Sequence, residues 1–207
     1  MPDEDVPSPI DFHDLAQARQ WERDTIEARP WRPEFFAAFV STLKRKFDRP
    51  FTVLELGSGP GHLEEQILSY CLVSSYAALD FSQAMHQLAR ERLTRHPSKV
   101  DFISRDFRVA TWSEGLKPFD ALVTMQAAHE LRHKRHLVKF LSQAHALLPH
   151  GGLMLYCDHY AEAGSQKHPD LYLNREDQPR ALETAGFTGV RRLLDKGGMA
   201  LYSGDAV

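Results

Sequence analysis

Cysteine is scarce in this chain of 207 residues: there are two, Cys71 and Cys157. So few exclude a disulfide framework, and their spacing excludes the C-x-x-C pairs of redox and zinc sites. Each lies in an apolar run, where a buried free thiol is expected, and a reducing cytoplasm is the expected compartment. Also missing is any apolar run near the roughly 20 residues of a membrane span. Met1 to Pro9 are acidic and proline-rich, unlike the charged-then-apolar opening of a secretory leader. A disordered tail over residues 1–10 and a soluble protein with no membrane partner are therefore expected. Positive charge is not in excess either. Lys and Arg number 25 against 28 Asp and Glu, a net charge of −3, so no nucleic-acid partner is expected. The basic clusters Arg191–Arg192 and Lys134, Arg135 and Lys139 read as solvated faces. No internal repeat or low-complexity segment is visible.

What remains is an ordinary globular composition, 43% hydrophobic and 26% charged, of a length that suits one α/β domain. Helical periodicity covers Asp11 to Ala28, with Phe12, Leu15, Trp21 and Ile26 as its larger apolar residues. It resumes after Pro33 with Phe35, Phe36, Phe39, Val40 and Leu43. A buried strand spans Phe51 to Leu56 and ends in the turn Gly57-Ser-Gly-Pro-Gly61. A helix over His62 to Ser74 follows, then a short strand from Tyr76 that ends at Asp80. Ser82 is placed to cap the next helix. Val100 to Ser104 is a third strand and Phe119 to Met125 a fourth. A helix over Lys134 to Leu148 leads to a fifth strand, Leu153 to Cys157. Asn174 can cap a helix ending near Gly186. Thr188 to Leu194 and Met199 to Ser203 form a closing hairpin about Lys196-Gly197-Gly198. Strands alternating with helices imply a mainly parallel, doubly wound sheet, and the hairpin adds one antiparallel strand.

The glycine turn carries the sharpest chemistry. Glycines there permit positive φ and close approach of a ligand to the backbone, and open α/β sheets bind ligands beyond the carboxyl ends of their strands. A dinucleotide loop needs G-x-G-x-x-G. Here the third glycine comes one residue early, His62 stands where that fingerprint wants glycine, and Glu55 precedes the turn.

The segment Glu55-Leu-Gly57-Ser-Gly59-Pro-Gly61 resembles motif I of the class I S-adenosylmethionine (SAM)-dependent methyltransferases. The resemblance extends from about Phe51 to Ser203. It includes Asp80-Phe81-Ser82 after the second strand, Asp106-Phe107 after the third, Phe119-Asp120 to Gln126 at the fourth, and Leu147-Leu-Pro-His-Gly151-Gly152 before the fifth, where His150 interrupts the usual proline–glycine string. It implies a Rossmann-like seven-stranded sheet in the order 3-2-1-4-5-7-6 with strand 7 antiparallel. It further implies an N-terminal helical lid over residues 11–48 and a SAM-binding domain over 49–207. The cofactor is then SAM, leaving as S-adenosylhomocysteine (SAH). Glu55, Gly57, Gly59, Gly61, Asp80, Phe81, Met85, Asp106, Phe107 and Gln126 are its expected contacts. Asp80 would accept from the ribose hydroxyls and Asp106 from the adenine amino group.

His129-Glu-Leu-Arg-His133 has the H-E-x-x-H spacing that binds zinc on a helix. It directly follows the fourth strand, where a loop-to-helix transition is expected, and lacks a third ligand and a long helix, so no metal is expected. In the methyltransferase reading the loop after the fourth strand faces the transferable methyl group. His129 is therefore the candidate catalytic base or substrate-orienting residue, since imidazole takes up a proton near neutral pH. Glu130, His133 and His136 read as solvated helix residues. His13 and Trp21 in the lid, and His159 and Tyr160 after the fifth strand, are candidate acceptor contacts. Phe35, Phe36 and Phe39 would cover the site or meet a second subunit. No N/D-P-P-Y/F string follows the fourth strand, where Met125-Gln-Ala-Ala128 stands, which argues against adenine, cytosine or protein glutamine as acceptor. A small-molecule acceptor, methylated on oxygen or nitrogen, is expected. The competing readings are a non-catalytic SAM-binding or partner-binding module and an NAD-dependent oxidoreductase.

Overall fold

The structure, a computed structural model, describes residues 4–96, 99–162 and 168–207. Gly164, in the polar stretch after the fifth strand, lies outside the described residues. Two helices lead the chain, α1 (Leu15–Ala28) and α2 (Arg32–Lys46). There follow β1 (Phe51–Leu56), α3 (His62–Tyr70), β2 (Val73–Asp80), α4 (Gln83–Arg92), β3 (Val100–Ser104) and β4 (Ala121–Met125). Two 3-10 turns, Ala128–Leu131 and Lys134–His136, precede α5 (Leu137–His145). The chain closes with β5 (Leu153–His159), α6 (Asp177–Thr184), β6 (Thr188–Lys196) and β7 (Met199–Asp205).

The strands form one seven-stranded sheet in the order β3-β2-β1-β4-β5-β7-β6, as expected. β1 runs parallel to β2 and β4, β2 to β3, and β4 to β5, while β7 is antiparallel to both β5 and β6. β4 and β5 are buried along their whole length, which is why they read as unbroken apolar runs rather than alternating ones. Gly197 and Gly198 turn the hairpin with φ of 60° and 72°, the left-handed pair that a two-residue turn requires.

Helices cover both faces. Leu54, Leu56, Leu122 and Tyr156 pack under Phe140, Leu141 and Leu182 of α5 and α6. On the opposite face Val53, Val123 and Leu155 meet α2 and α3 through Phe35, Phe39, Leu43 and Ile67. Phe35 and Phe39, expected to cover the site or a second subunit, are instead wholly buried in this core. Phe36 lies half-buried beneath the Arg32 guanidinium. α2 is thus a layer of the domain. α1 alone crosses to the ligand edge, where Phe12, Ala18 and Trp21 pack on Ala84, Met85 and Leu88 of α4.

Several element ends differ from the expectation. The helix after the glycine turn stops at Tyr70 rather than Ser74, because β2 begins at Val73, paired with Phe51. The Ser74 hydroxyl donates to the Phe51 carbonyl, so residues of weak strand propensity are recruited by pairing. The helix expected over Lys134 to Leu148 starts as a 3-10 turn and is α-helical only from Leu137 to His145. The Asn174 side chain accepts from the Asp177 amide at 2.8 Å, but the residue at the helix boundary is Glu176, whose side chain makes no capping bond. The tail expected to be disordered is tied down from its described start. The Val6 amide donates to the Arg132 carbonyl, and the Arg132 guanidinium donates to the Val6 and Pro7 carbonyls at 2.7 Å each.

Candidate active site

The carboxyl ends of β1, β2 and β4 enclose a cavity with roughly 450 Å³ of empty space, part of it open to solvent. Its walls include Gly57, Gly59, Asp80, Phe81, Met85 and Phe107 on one side and Gln126, Ala127, His129 and Glu130 on the other. Phe12 and Trp21 roof it, stacked edge to face at 5.4 Å. The Ser82 hydroxyl holds the roof by donating to the Phe12 carbonyl.

The three loop glycines have distinct physical reasons. Gly57 (φ 71°) leaves no room for a side chain: a Cβ there would stand 2.3 Å from that of Ala127. Gly61 (φ 84°) caps α3 and lets it approach Ala89 of α4, 3.1 Å from where a Cβ would be. Gly59 (φ 57°) meets nothing within 4 Å, so its bare backbone is the face presented to a ligand. Its amide donates to Asp80 Oδ2 at 2.9 Å, and the Ser82 amide donates to Oδ1 at 2.9 Å. Burial nonetheless prevails over these donors and lifts the Asp80 pKa to about 6.

These residues fit an S-adenosyl ligand on an observation independent of motif. Gln126, at the end of β4, adopts a strained φ of 56°, the kind of outlier that clusters at ligand sites. Its Nε2 donates to His159 Nε2 at 3.0 Å, while its Oε1 is buried with no hydrogen-bond partner. An acceptor left orphaned in a cavity wall is costly unless a ligand donor meets it.

The most elaborate feature is a buried pair. His129 Nδ1 lies 2.8 Å from Asp158 Oδ1, and the His129 amide donates to Oδ2 at 2.9 Å. Burial opposes charge on both, but their mutual attraction overcomes it. The Asp158 charge and hydrogen bond, helped by Glu130, hold the His129 pKa above its usual 6.5, and His129 holds Asp158 below the usual carboxylate range. His129 Nε2 is turned to Glu130 Oε1 at 3.5 Å, and Glu130 is braced by Arg132 at 3.0 Å. The Tyr172 ring lies 5.4 Å from His129 and 5.8 Å from His159.

Not every expected residue reaches the cavity. Glu55 is buried below it, accepting from the Tyr76 hydroxyl at 2.6 Å. The Asp106 carboxylate turns back to a two-pronged contact with Arg108, although Phe107 beside it lines the cavity. His13 packs on the outer side of Phe81 at 5.4 Å. His159 touches the site through Gln126. The Tyr160 hydroxyl donates to Asp195 at 2.8 Å, away from the cavity. Glu130, expected to be solvated, lines it, and His133 is buried, its Nδ1 accepting from the Arg135 amide. Of the two histidines of the H-E-x-x-H string, His129 lies in the first 3-10 turn and His133 is the extended residue that caps the second, with Arg132 at φ 63° between them, so they do not share one helix face. Asp158 was not singled out from sequence. Its place at the carboxyl end of a buried strand beside β4 was the available signal.

A seven-stranded sheet in this order, with a glycine loop after β1 and an acid after β2, defines the Rossmann-like methyltransferase architecture. Comparison agrees: residues 53–152 match the family model described as methyltransferase domain. That match covers just under half of the chain and includes the glycine loop, Asp80 and Gln126. The chain is 25% identical over 166 residues to a malonyl-[acyl-carrier protein] O-methyltransferase of Brevibacillus brevis, covering 67% of this chain and 55% of that relative. The chain thus spans about half the length of the curated relatives it matches. In fold it is similar to an O-methyltransferase family protein from Burkholderia thailandensis, with a TM-score of 0.74 at 18% identity over 94% of this chain and 61% of that one. It is also similar to the N-methyltransferase NodS from Bradyrhizobium japonicum in complex with SAH, with a TM-score of 0.67 at 17% identity over 91% and 97% of the two chains. No helix among the described residues is long and apolar enough to cross a membrane.

Proposed function

We propose that this chain transfers the methyl group of SAM to an oxygen or nitrogen of a small-molecule acceptor, with His129 as the base that receives the acceptor proton. One observation carries the reading: His129 lines the same cavity as Gly57, Gly59 and Asp80, and its far nitrogen is fixed by a buried carboxylate. When bound, SAM supplies a methyl group already made electrophilic by its sulfonium. Gly59, Asp80, Phe81 and Met85 would hold it, with the Gln126 amide oxygen available to a donor on cofactor or acceptor.

The remaining work falls to the chain's own side chains. Asp158 accepts from Nδ1–H, which leaves Nε2 as the lone-pair nitrogen, the orientation role a carboxylate has in Ser-His-Asp triads. Nε2 then takes the proton from an acceptor O–H or N–H as the nucleophile forms. Phe12 and Trp21 keep water from the reacting atoms. The curated relatives are O-methyltransferases by name, which supports oxygen as the nucleophile. Nothing in this arrangement calls on nucleic acid or membrane, and a cytoplasmic enzyme is the setting we infer.

Calorimetric titration with SAH and then incubation with methyl-labelled SAM and a small-metabolite extract tests the reading. SAH binding and label in one or more small-molecule products are expected. Binding without transfer to any fraction would leave a SAM-binding module and sink the enzyme.

A further inference from the structure

Residues 5–11 have no part in the chemistry above, yet they run as a strap from the loop after β4 to α4. At its start the Asp5 carboxylate meets Arg135 at 2.8 Å and His136 at 3.0 Å. At its end Ile10 and Phe12 pack with Ala84, Met85 and Leu88 of α4. The Phe12 ring, in the cavity roof, lies 6.2 Å from that of Phe81 in the wall. The strap is therefore pinned on both sides of the cofactor cavity.

One buried side chain, Arg132, fastens it. Its Nε donates to the Val6 carbonyl and its Nη2 to the Pro7 carbonyl, each at 2.7 Å. The Val6 amide answers with a bond to the Arg132 carbonyl at 2.8 Å. The third nitrogen, Nη1, turns the other way and donates to Glu130 Oε2 at 3.0 Å. The second oxygen of Glu130 stands 3.5 Å from His129 Nε2. One guanidinium thus joins the strap to the base, and only its planar fork can meet all three acceptors at once. The hold on Glu130 has a purpose. A carboxylate facing the lone pair of a neutral imidazole repels it, so Glu130 needs a brace to stay there. Once Nε2 has taken a proton, the same carboxylate stabilises the new charge without having to move.

We propose that Arg132 is a positioning residue that couples closure over the cofactor to assembly of the base. It latches residues 5–12 across the cavity and, through the same guanidinium, holds Glu130 against His129. Release of the cofactor requires the strap to open. Opening strips Arg132 of its two carbonyl partners and loosens its hold on Glu130. This deepens the function proposed above and rests on it.

The test uses the full chain as wild type, Arg132→Gln, Arg132→Lys and Val6→Pro. Stopped-flow fluorescence of Trp21, in the cavity roof, reads the release of SAH. Transfer from labelled SAM, at saturating SAM, reads kcat. Arg132→Gln should release SAH about tenfold faster and lower kcat about tenfold, since charge-assisted hydrogen bonds are lost on both sides. Arg132→Lys should release SAH as fast as Arg132→Gln yet regain part of kcat, because an ammonium can meet Glu130 but cannot fork to both carbonyls. Val6→Pro removes the amide bonded to the Arg132 carbonyl and leaves the guanidinium in place. It should quicken release with a smaller fall in kcat, and its exposed end of the chain tolerates the change if the buried variants do not fold. Wild-type release in Val6→Pro or in either Arg132 variant overturns the latch. Wild-type kcat in Arg132→Gln, or a lysine variant no better than the glutamine one, overturns the coupling. A wild type that bound SAH but transferred nothing would defeat the enzyme reading and the coupling with it, while the release rates would still decide the latch.

Discussion

Asp158 and His129 meet twice, through the imidazole Nδ1 at 2.8 Å and through the backbone amide at 2.9 Å. The second bond fixes the loop, and the first fixes the ring within it. A histidine held this way presents one nitrogen to the cavity in one tautomer. His129→Ala should lower kcat by roughly 10²–10⁴-fold, the span of general-base contributions, with SAH affinity little changed. Steady-state kinetics and calorimetry on the same preparation check both halves. Retention of full turnover would remove His129 as the base.

The pair also sets the pH dependence. A base must be neutral to act, and Asp158 raises the His129 pKa above 6.5. The rate should therefore rise with pH through a value above 6.5 and fall away below it. Asp158→Asn removes the charge that lifts His129, so the acid limb should move to lower pH while kcat falls. A pH–kcat profile of both proteins reads this directly. An acid limb that stays in place after Asp158→Asn would show that some other group governs it.

The loop glycines separate folding from binding. Gly57→Ala places a Cβ 2.3 Å from Ala127 Cβ at a positive φ, so it should cost several kcal/mol of stability, as overpacking and strain together do. Gly59→Ala also sits at a positive φ but meets nothing within 4 Å. It should cost about 1 kcal/mol of stability, yet lower SAH affinity, because its methyl group enters the space a ligand needs. Thermal melts with and without SAH distinguish the two. Equal losses of melting temperature would contradict the assignment.

How much of this was legible in the sequence follows from how local each signal is. β1, its glycine turn and Asp80 could be read directly, because an apolar run and the turn that ends it are contiguous. The sheet order came through resemblance and needed no contact to be known. Asp158 escaped because its partner is 29 residues away. The two meet only because β4 and β5 lie side by side, with Met125 opposite Cys157. Glu130 was misread for a local reason: helical periodicity points it at solvent, but the segment is a 3-10 turn that ends at left-handed Arg132, and this swings the carboxylate into the cavity wall. Phe35 and Phe39 were misplaced since a helix pattern gives the apolar face but not what it meets.

Glu64 gives the last prediction, one of stability rather than turnover. It lies in the first turn of α3, fully buried, and neither carboxyl oxygen has a hydrogen-bond partner among the described residues. Burial alone lifts its pKa from 4.5 to about 8. In the unfolded chain the group ionises near 4.5, whereas in the fold it stays protonated until about 8. Its contribution to stability is therefore fully present below the unfolded value. It is lost progressively as pH rises toward the folded one, at up to about 1.4 kcal/mol per pH unit. Glu64→Gln keeps the shape and removes the titration. Melting temperatures measured from pH 5 to 8.5 should fall more steeply for wild type than for the variant, the two diverging most at the alkaline end. Glu55 and Asp80 are raised in the same direction, so both proteins keep some slope, and the difference between the curves isolates Glu64. Parallel curves would mean that the carboxyl finds a partner in solution, and would remove it as a source of alkaline instability.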